Sequence, residues 1–343
     1  MATGPASHNR KPLRVGACLS LSGRFARFGS QAARGLEAWR SLDGAVDLVV
    51  EDDRSDPATL EAMLPLVARR CDLLLGPYST QLMKRAGRVA SEAGWLLWNH
   101  GGSGDDVQAA FPGHVVSILT PTSQYAEPFL RRLASGPVDD VLLVVHGKGS
   151  FGKQVTAGAQ ESARRLGLRT VRVGPQTGLA SVDLPSRWNL FSAGLFEDDV
   201  ELVRHARTLA RPPRLVCTVA AGVRDFAAAV GDPEGVFGIG QWFPGTASDP
   251  ELGPSEPDFL TAYSARPDGF PDYPAVQAVA GATLAIHCAR TVGATARDRL
   301  WPSVSALETQ TLFGGFKINP TTGAQVKHEA VLVRWAAGRM VLA

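Results

Sequence analysis

The chain has no apolar run of about eighteen residues, so no membrane-spanning helix is expected. It has no block of roughly five or six Lys/Arg either. Its 35 basic side chains are offset by 33 acidic ones, leaving a net charge of +2, and a nucleic-acid partner is not expected. No CxxC occurs. The four cysteines, Cys18, Cys71, Cys217 and Cys288, stand far apart in apolar surroundings and read as small buried hydrophobes, with any disulfide pairing left open. The seven histidines show no HxxxH or HExxH spacing, so neither a metal site nor a cofactor is expected. No G-x-S-x-G elbow exists to support a serine hydrolase, although His100-Gly101-Gly102 resembles an esterase oxyanion loop. Residues 1–12 lack an apolar h-region and are expected to be a disordered tail. Two locations follow: extracytoplasmic, with a signal that is not part of this chain, or cytoplasmic.

What is present is a regular alternation. With 343 residues, 45% of them apolar and 20% charged, the chain reads as a globular protein of two domains. An alternating strand near residues 14–22 breaks at Ser22-Gly23 and resumes as a helix over 31–40, the first half of a βαβ unit. Strands are expected at 46–50, 71–75, 95–98 and 115–119, with helices at 57–70 and 81–93. Asp56 and Pro57 supply the N-cap and first position of the earlier helix. The pattern restarts with helices at 123–134, 153–166, 199–209 and 224–230 and strands at 141–145, 170–173, 215–219 and 236–239. Strands separated by helices of about ten to fifteen residues argue for doubly wound parallel sheets. Residues 242–257 read as loop, and helices follow at 258–265, 273–292 and 298–307. The strand-like tail, 311–318, 330–335 and 339–342, is too short for a third sheet of its own. It is expected to complete the two domains, making both discontinuous.

The segment Gly147-Lys148-Gly149-Ser150-Phe151-Gly152 is a literal GxGxxG between a strand and a helix. A dinucleotide site also needs an acidic residue at the end of the next strand. That strand ends in Gly174-Pro175, so this reading is set aside. The loops rich in small and hydroxyl residues fit another chemistry. Ser79 and Thr80 open the helix at 81, and Asn99, Gly101, Gly102 and Ser103 follow the next strand. Hydroxyls and free N–H groups at a helix N-terminus suit a carboxylate or an amide carbonyl. Val219 closes a later strand. Phe28, Tyr78, Trp98, Phe151, Trp242 and Tyr273 lie at loops or element ends and offer walls for an apolar pocket.

Several segments, in order, carry a family resemblance: Leu21-Ser22-Gly23 with Phe28-Gly29, Val49-Val50-Glu51-Asp52 before Ser55-Asp56-Pro57, Leu75-Gly76-Pro77-Tyr78-Ser79-Thr80, Phe151-Gly152, Leu312-Phe313-Gly314-Gly315-Phe316, and Asn319-Pro320 with Gly323. The chain resembles, over residues 13–342, the type I periplasmic solute-binding proteins of ABC transporters, in the branched-chain amino acid and amide group. That resemblance implies two doubly wound α/β lobes and a three-crossing hinge near 120–123, 241–246 and 325–330. One lobe would comprise 13–121 with 244–326, the other 122–243 with 327–343. It further implies that Thr80 or Ser79 and the loop from Gly101 to Ser103 hold a carboxylate or amide, and that Phe28 and Phe151 supply a wall from each lobe.

Amino-acid binders of this family place an acidic side chain near the second crossing for the ammonium. Here the segment reads Gly238-Ile239-Gly240-Gln241-Trp242, and a later Tyr-Asp-Ala is Tyr273-Pro274-Ala275. A buried ammonium without a partner is costly. The expected ligand is a small amino-acid-like, amide or aromatic/carboxylate solute, and the missing acid favours a neutral or anionic one with an apolar or aromatic part, hydrogen-bonded by Gln241. The expected protein is a non-enzymatic receptor that closes on its solute and delivers it to ABC permease subunits. The alternative is a cytoplasmic sensor on the same fold, similar to the amidase-operon regulator.

Overall fold

β1 (Leu13–Leu19) shows how the first half is built. Its alternate residues Val15, Ala17 and Leu19 face one apolar cluster, while Cys18 faces another on the opposite side, as a strand covered on both faces requires. The computed structural model describes residues 12–136, 140–147, 149–174, 179, 182–247, 249–265 and 269–343. The expected tail at 1–12 lies, except for its last residue, outside them.

After β1 come α1 (Ala26–Leu42), β2 (Val46–Asp52), α2 (Pro57–Ala68), β3 (Leu73–Leu75), α3 (Thr80–Ala93), β4 (Leu97–Asn99), α4 (Asp105–Gln108) and β5 (Val115–Ser117). The strands form a wholly parallel sheet in the order β2-β1-β3-β4-β5. Asp56 caps α2 as expected, accepting from the Thr59 N–H at 2.7 Å. The start of α1 differs from expectation. The helix begins at Ala26, so Phe28 and Gly29 belong to its first turns and not to the loop. The break is confined to the residues before Ala26, where Asp52 accepts from the N–H groups of Leu21 and Ser22 and from the Ser22 hydroxyl at 2.9, 3.2 and 2.6 Å. Burial alone would raise the Asp52 carboxyl. These bonds and one from the Arg54 N–H outweigh it and hold the group below the usual range.

The second half repeats the winding. A 3-10 turn (Thr122–Gln124) and α5 (Glu127–Ala134) lead to β6 (Val141–His146), α6 (Ser150–Arg165), β7 (Arg169–Val173), β8 (Trp188–Ala193), α7 (Phe196–Thr208), β9 (Val216–Thr218), α8 (Asp225–Val230) and β10 (Phe237–Gly240). The parallel order β7-β6-β8-β9-β10 matches that of the first sheet strand for strand. β8 is a strand that periodicity does not reveal. All six of its residues are buried, so no alternation marks it, yet it pairs with both β6 and β9.

The remaining chain serves both halves. α9 (Glu256–Ser264), α10 (Tyr273–Val292) and α11 (Arg297–Ala306) pack into the apolar cluster of the first sheet. β11 (Glu308–Thr311) and β12 (Gly314–Lys317) form an antiparallel ladder separate from both large sheets, where one continuous strand-like segment and no third sheet were expected. The turn at Leu312-Phe313 divides it. β13 (Val331–Ala336) and β14 (Arg339–Leu342) then extend the second sheet antiparallel from β10. All four cysteines are free, and burial pushes the Cys18 thiol up to about 12 and Cys288 up to about 11.

Three crossings join the two lobes, and Thr120 ties them together. Its N–H donates to Gln241 Oε1 at 3.0 Å, and its hydroxyl lies 2.7 Å from His328 Nδ1. The Gln241 amide donates in turn to the Tyr125 hydroxyl. His328 Nε2 lies 3.0 Å from the Phe313 carbonyl, and the two rings stack at 4.1 Å. Burial holds the His328 imidazole down to about 4, so it is neutral near pH 7.

Candidate functional site

In open parallel sheets, ligands sit beyond the carboxyl ends of the strands, where the winding reverses. The order above puts that point between β1 and β3 in one lobe and between β6 and β8 in the other. The loops at all four strand ends meet around a single cavity of about 380 Å³. Its wall includes Phe25, Phe28, Tyr78 and Ser79 from the first lobe, with Gly149, Phe151, Gly194 and Phe196 from the second.

On the first-lobe side, Phe28 and Tyr78 stack with centroids 4.5 Å apart and planes 8° apart, a flat aromatic face. Ser79, with φ at 88°, caps α3 by accepting from the Leu82 N–H, while its own N–H donates to the Gly101 carbonyl at 2.9 Å. A strained residue held this way is characteristic of binding loops. A Cβ on Gly101 would sit 2.4 Å from the Pro77 carbonyl oxygen, so only glycine permits these two loops to touch. Thr80 Oγ1 accepts from the Gly104 N–H at 3.2 Å and keeps its own proton to donate. Ser103 completes this rim.

Asp199 organises the second-lobe side. It accepts from the Ser192 hydroxyl at 2.6 Å, the Gly194 N–H at 2.9 Å and the Ala220 N–H at 3.2 Å, fixing two lining loops from behind. Burial raises its carboxyl to about 6 against those bonds. The GxGxxG motif also has a physical role here. A Cβ on Gly147 would lie 2.4 Å from Gly194 Cα, and one on Gly152 the same distance from the Ala193 carbonyl oxygen. The glycines let α6 close onto the end of β8 and bring Phe151 to the cavity.

Of the expected site residues, Phe28, Tyr78, Ser79, Thr80, Gly101, Ser103, Phe151, Val219, Gln241 and Tyr273 line the cavity. Asn99, Gly102 and Trp242 do not. Asn99 is buried behind the loop and shapes it, donating to the Gly102 carbonyl at 2.7 Å and accepting from the Gly102 N–H at 2.8 Å. Gly102 abuts Met83, and Trp242 belongs to the first-lobe core, as does Trp98. Gln241 borders the cavity with both ends of its amide already engaged at the crossings. The expectation that it hydrogen-bonds the solute therefore meets competition from Thr120 and Tyr125. Tyr125, Gln277, Phe25, Leu119 and Phe196 line the wall without having been singled out from sequence. For Gln277 a signal existed: it is polar within a buried helical run, four residues after Tyr273 and so on the same face.

No carboxylate lines the cavity among the described residues. The buried acids nearby are occupied: Asp199 as above, and Asp272 by the Arg224 N–H at 3.0 Å and its guanidinium at 3.3 Å. Burial pushes the Tyr78 and Tyr125 phenols up and that of Tyr273 up to about 12, so all three remain neutral. His100 is buried and held down to about 4, a neutral core residue. Across the mouth the lobes touch through Arg27 and Glu197 at 3.1 Å and through Gln154 and Asp106 at 2.7 Å. A larger hollow of about 850 Å³ lies on the flank of the first lobe beside the Asp43–Arg290 ion pair, away from any strand end of that kind.

Two wound lobes, three crossings and a cavity between opposed strand ends define a hinged solute-binding protein. The chain belongs to the periplasmic binding protein family, whose pattern it matches over residues 12–339. Solved structures with the same fold include the leucine binding protein LivK of Thermotoga maritima, with a TM-score of 0.82 and 14% identity over 96% of this chain and 97% of that one. Another is the branched-chain amino acid transporter substrate-binding protein LivJ of Streptococcus pneumoniae in complex with isoleucine (0.78, 14% identity, 96% and 98%). A third is an ABC transporter solute-binding protein of R. palustris in complex with 4-hydroxybenzoate (0.80, 16% identity, 97% and 95%). A comparison with curated proteins returns no match. The family and these neighbours are solute-binding proteins, not enzymes, and no helix among the described residues is long and apolar enough to cross a membrane.

Proposed function

We propose that this protein is the extracytoplasmic substrate-binding component of an ABC importer, taking an uncharged or anionic solute with an apolar or aromatic body and presenting it to permease subunits. The observation that carries the ligand class is the lining of the cavity: neutral phenols, hydroxyls, aromatic rings and one cation, Arg24, with no carboxylate among the described residues. Proteins of this fold hold isoleucine in one case and 4-hydroxybenzoate in another. An α-ammonium needs a partner when it leaves water, and the described residues of this wall offer no anion to supply one. In the proposed arrangement, the acceptor group of the solute meets the Thr80 and Ser103 hydroxyls at the N-terminal end of α3, where the helix dipole favours an anion. Its body lies between the Phe28–Tyr78 face and Phe151. Lobe 1 (13–121 with 244–326) and lobe 2 (122–243 with 327–343) then close on it about the three crossings.

A thermal-shift panel of aromatic acids, aliphatic acids, amides and zwitterionic amino acids tests this. A ligand at 100 times its Kd stabilises by about 2.7 kcal/mol. Shifts confined to the amino acids would refute the proposed ligand class.

A further inference from the structure

Three cations where the lobes meet have acidic partners. Arg27 reaches Glu197 at 3.1 Å, Lys84 reaches Asp106 at 3.0 Å, and Arg224 reaches Asp272 at 3.3 Å. Arg24 differs. It is the one cation lining the cavity among the described residues, its side chain is exposed, and it pairs with no carboxylate among those residues. Its guanidinium donates to the neutral Gln81 Oε1 at 2.7 Å and lies 4.5 Å from the centroid of the Phe25 ring. The loop that carries it is fixed on both sides. The Phe25 N–H donates to Ser55 Oγ at 3.1 Å, and the Ser55 hydroxyl donates to the Ser22 carbonyl at 2.7 Å. A Cβ on Gly23 would lie 2.5 Å from the Arg54 carbonyl oxygen, so the loop lies close against its neighbour. From this set position Arg24 offers the cavity a planar fork of N–H donors.

We infer that Arg24 is a second anion-binding position of the cleft, and that the solute carries two acidic groups, one at the Thr80 and Ser103 hydroxyls and the other at Arg24. This rests on the binding role proposed above and adds the far end of the solute. The two positions are distinct. Thr80 and Ser103 are 6% and 5% exposed, whereas Gln81, which Arg24 contacts, is exposed. Thr80 and Gln81 are successive residues of α3, so their side chains point about 100° apart and do not serve one group together. A single carboxylate at the buried hydroxyls leaves Arg24 to water, and a second acidic group on the same solute gives it a partner. A guanidinium holds a carboxylate through two parallel N–H···O bonds, and turning to the solute gives up only a bond to a neutral amide. The flat Phe28–Tyr78 face of the same wall suits the ring or methylene chain that separates two acids.

The test is calorimetric titration of the full chain with isophthalate, terephthalate, glutarate and adipate, each beside its own monoamide, which keeps the shape and loses one charge. The wild type should bind the best-fitting diacid about tenfold more tightly than its monoamide. Two equivalent orientations of a symmetric diacid account for about twofold, and the ion pair at an exposed arginine for about fivefold. Added salt should shrink that ratio. Arg24→Gln should reduce it to about twofold, and Arg24→Lys should retain part of the preference. The wild-type series needs no variant, so a poorly folding substitution does not remove the test. A wild-type ratio near two overturns the inference, as does a tenfold ratio that survives in Arg24→Gln. In either case, binding of the monoamides leaves the broader reading standing. Binding of monoacids with no binding of any diacid overturns the inference alone, and binding of no acid at all overturns both.

Discussion

Replacing Thr80 by valine removes a hydroxyl from the start of α3 and keeps the shape of the side chain. Thr80 is 6% exposed, and its Oγ1 accepts from the Gly104 N–H at 3.2 Å. Without it that buried N–H has no acceptor, which should cost the unliganded protein about 1–2 kcal/mol. The cap itself survives, because the Leu82 N–H is taken by Ser79 and not by Thr80. The larger effect falls on binding. The Thr80 proton is free for a carboxylate, and a hydrogen bond to a charged group contributes about 1.5–3 kcal/mol, so the Kd should rise by about 10- to 150-fold. Denaturant unfolding without ligand and calorimetric titration with a bound acid separate the two terms. Thr80→Ser should restore both. A stability loss of the expected size with an unchanged Kd would show that Thr80 only shapes the loop, and the proposed contact would be wrong.

Two further outcomes follow from the hinge and from the first loop. His328 is held neutral down to about 4, whereas an unfolded histidine titrates near about 6.5. Its contribution to stability is therefore complete above about pH 6.5 and declines by about 1.4 kcal/mol per pH unit as pH falls toward 4, because only the unfolded chain takes up the proton. His328→Gln should be less stable than wild type at pH 7, and the gap should narrow on acidification across that window. A gap that stays constant in denaturant unfolding at stepped pH would contradict the burial argument. A Cβ on Gly29 would lie 2.1 Å from the Ser20 carbonyl oxygen, so Gly29→Ala should cost about 1–3 kcal/mol or more in thermal unfolding. Gly44→Ala, with nothing within 4 Å, should cost little, and equal losses would refute the close approach.

Much of the architecture is legible in the residues because it depends on local rules. β1 alternates, Asp56-Pro57 starts α2, and helices recur between strands. β8 escapes because burial on every side erases the alternation that identifies a strand. The early start of α1 escapes because its anchor, Asp52, lies about thirty residues away in sequence. The site divides the same way. Hydroxyls after strands and aromatics at loop edges point to Ser79, Thr80, Ser103 and Phe151. Asn99 and Trp242 share that composition and yet pack inward, a distinction made only by tertiary contacts. Tyr125 depends on the crossings, since its partner Gln241 comes from a different one.

Titration with a matched pair tests the central claim most directly: 3-phenylpropionate and phenylalanine differ only by the α-ammonium. A cleft with no carboxylate among its described residues should bind the former and hold the latter at least about 100-fold more weakly, the cost of burying a charge with no partner. Phenylalanine binding as tightly as phenylpropionate, or more tightly, would contradict the account.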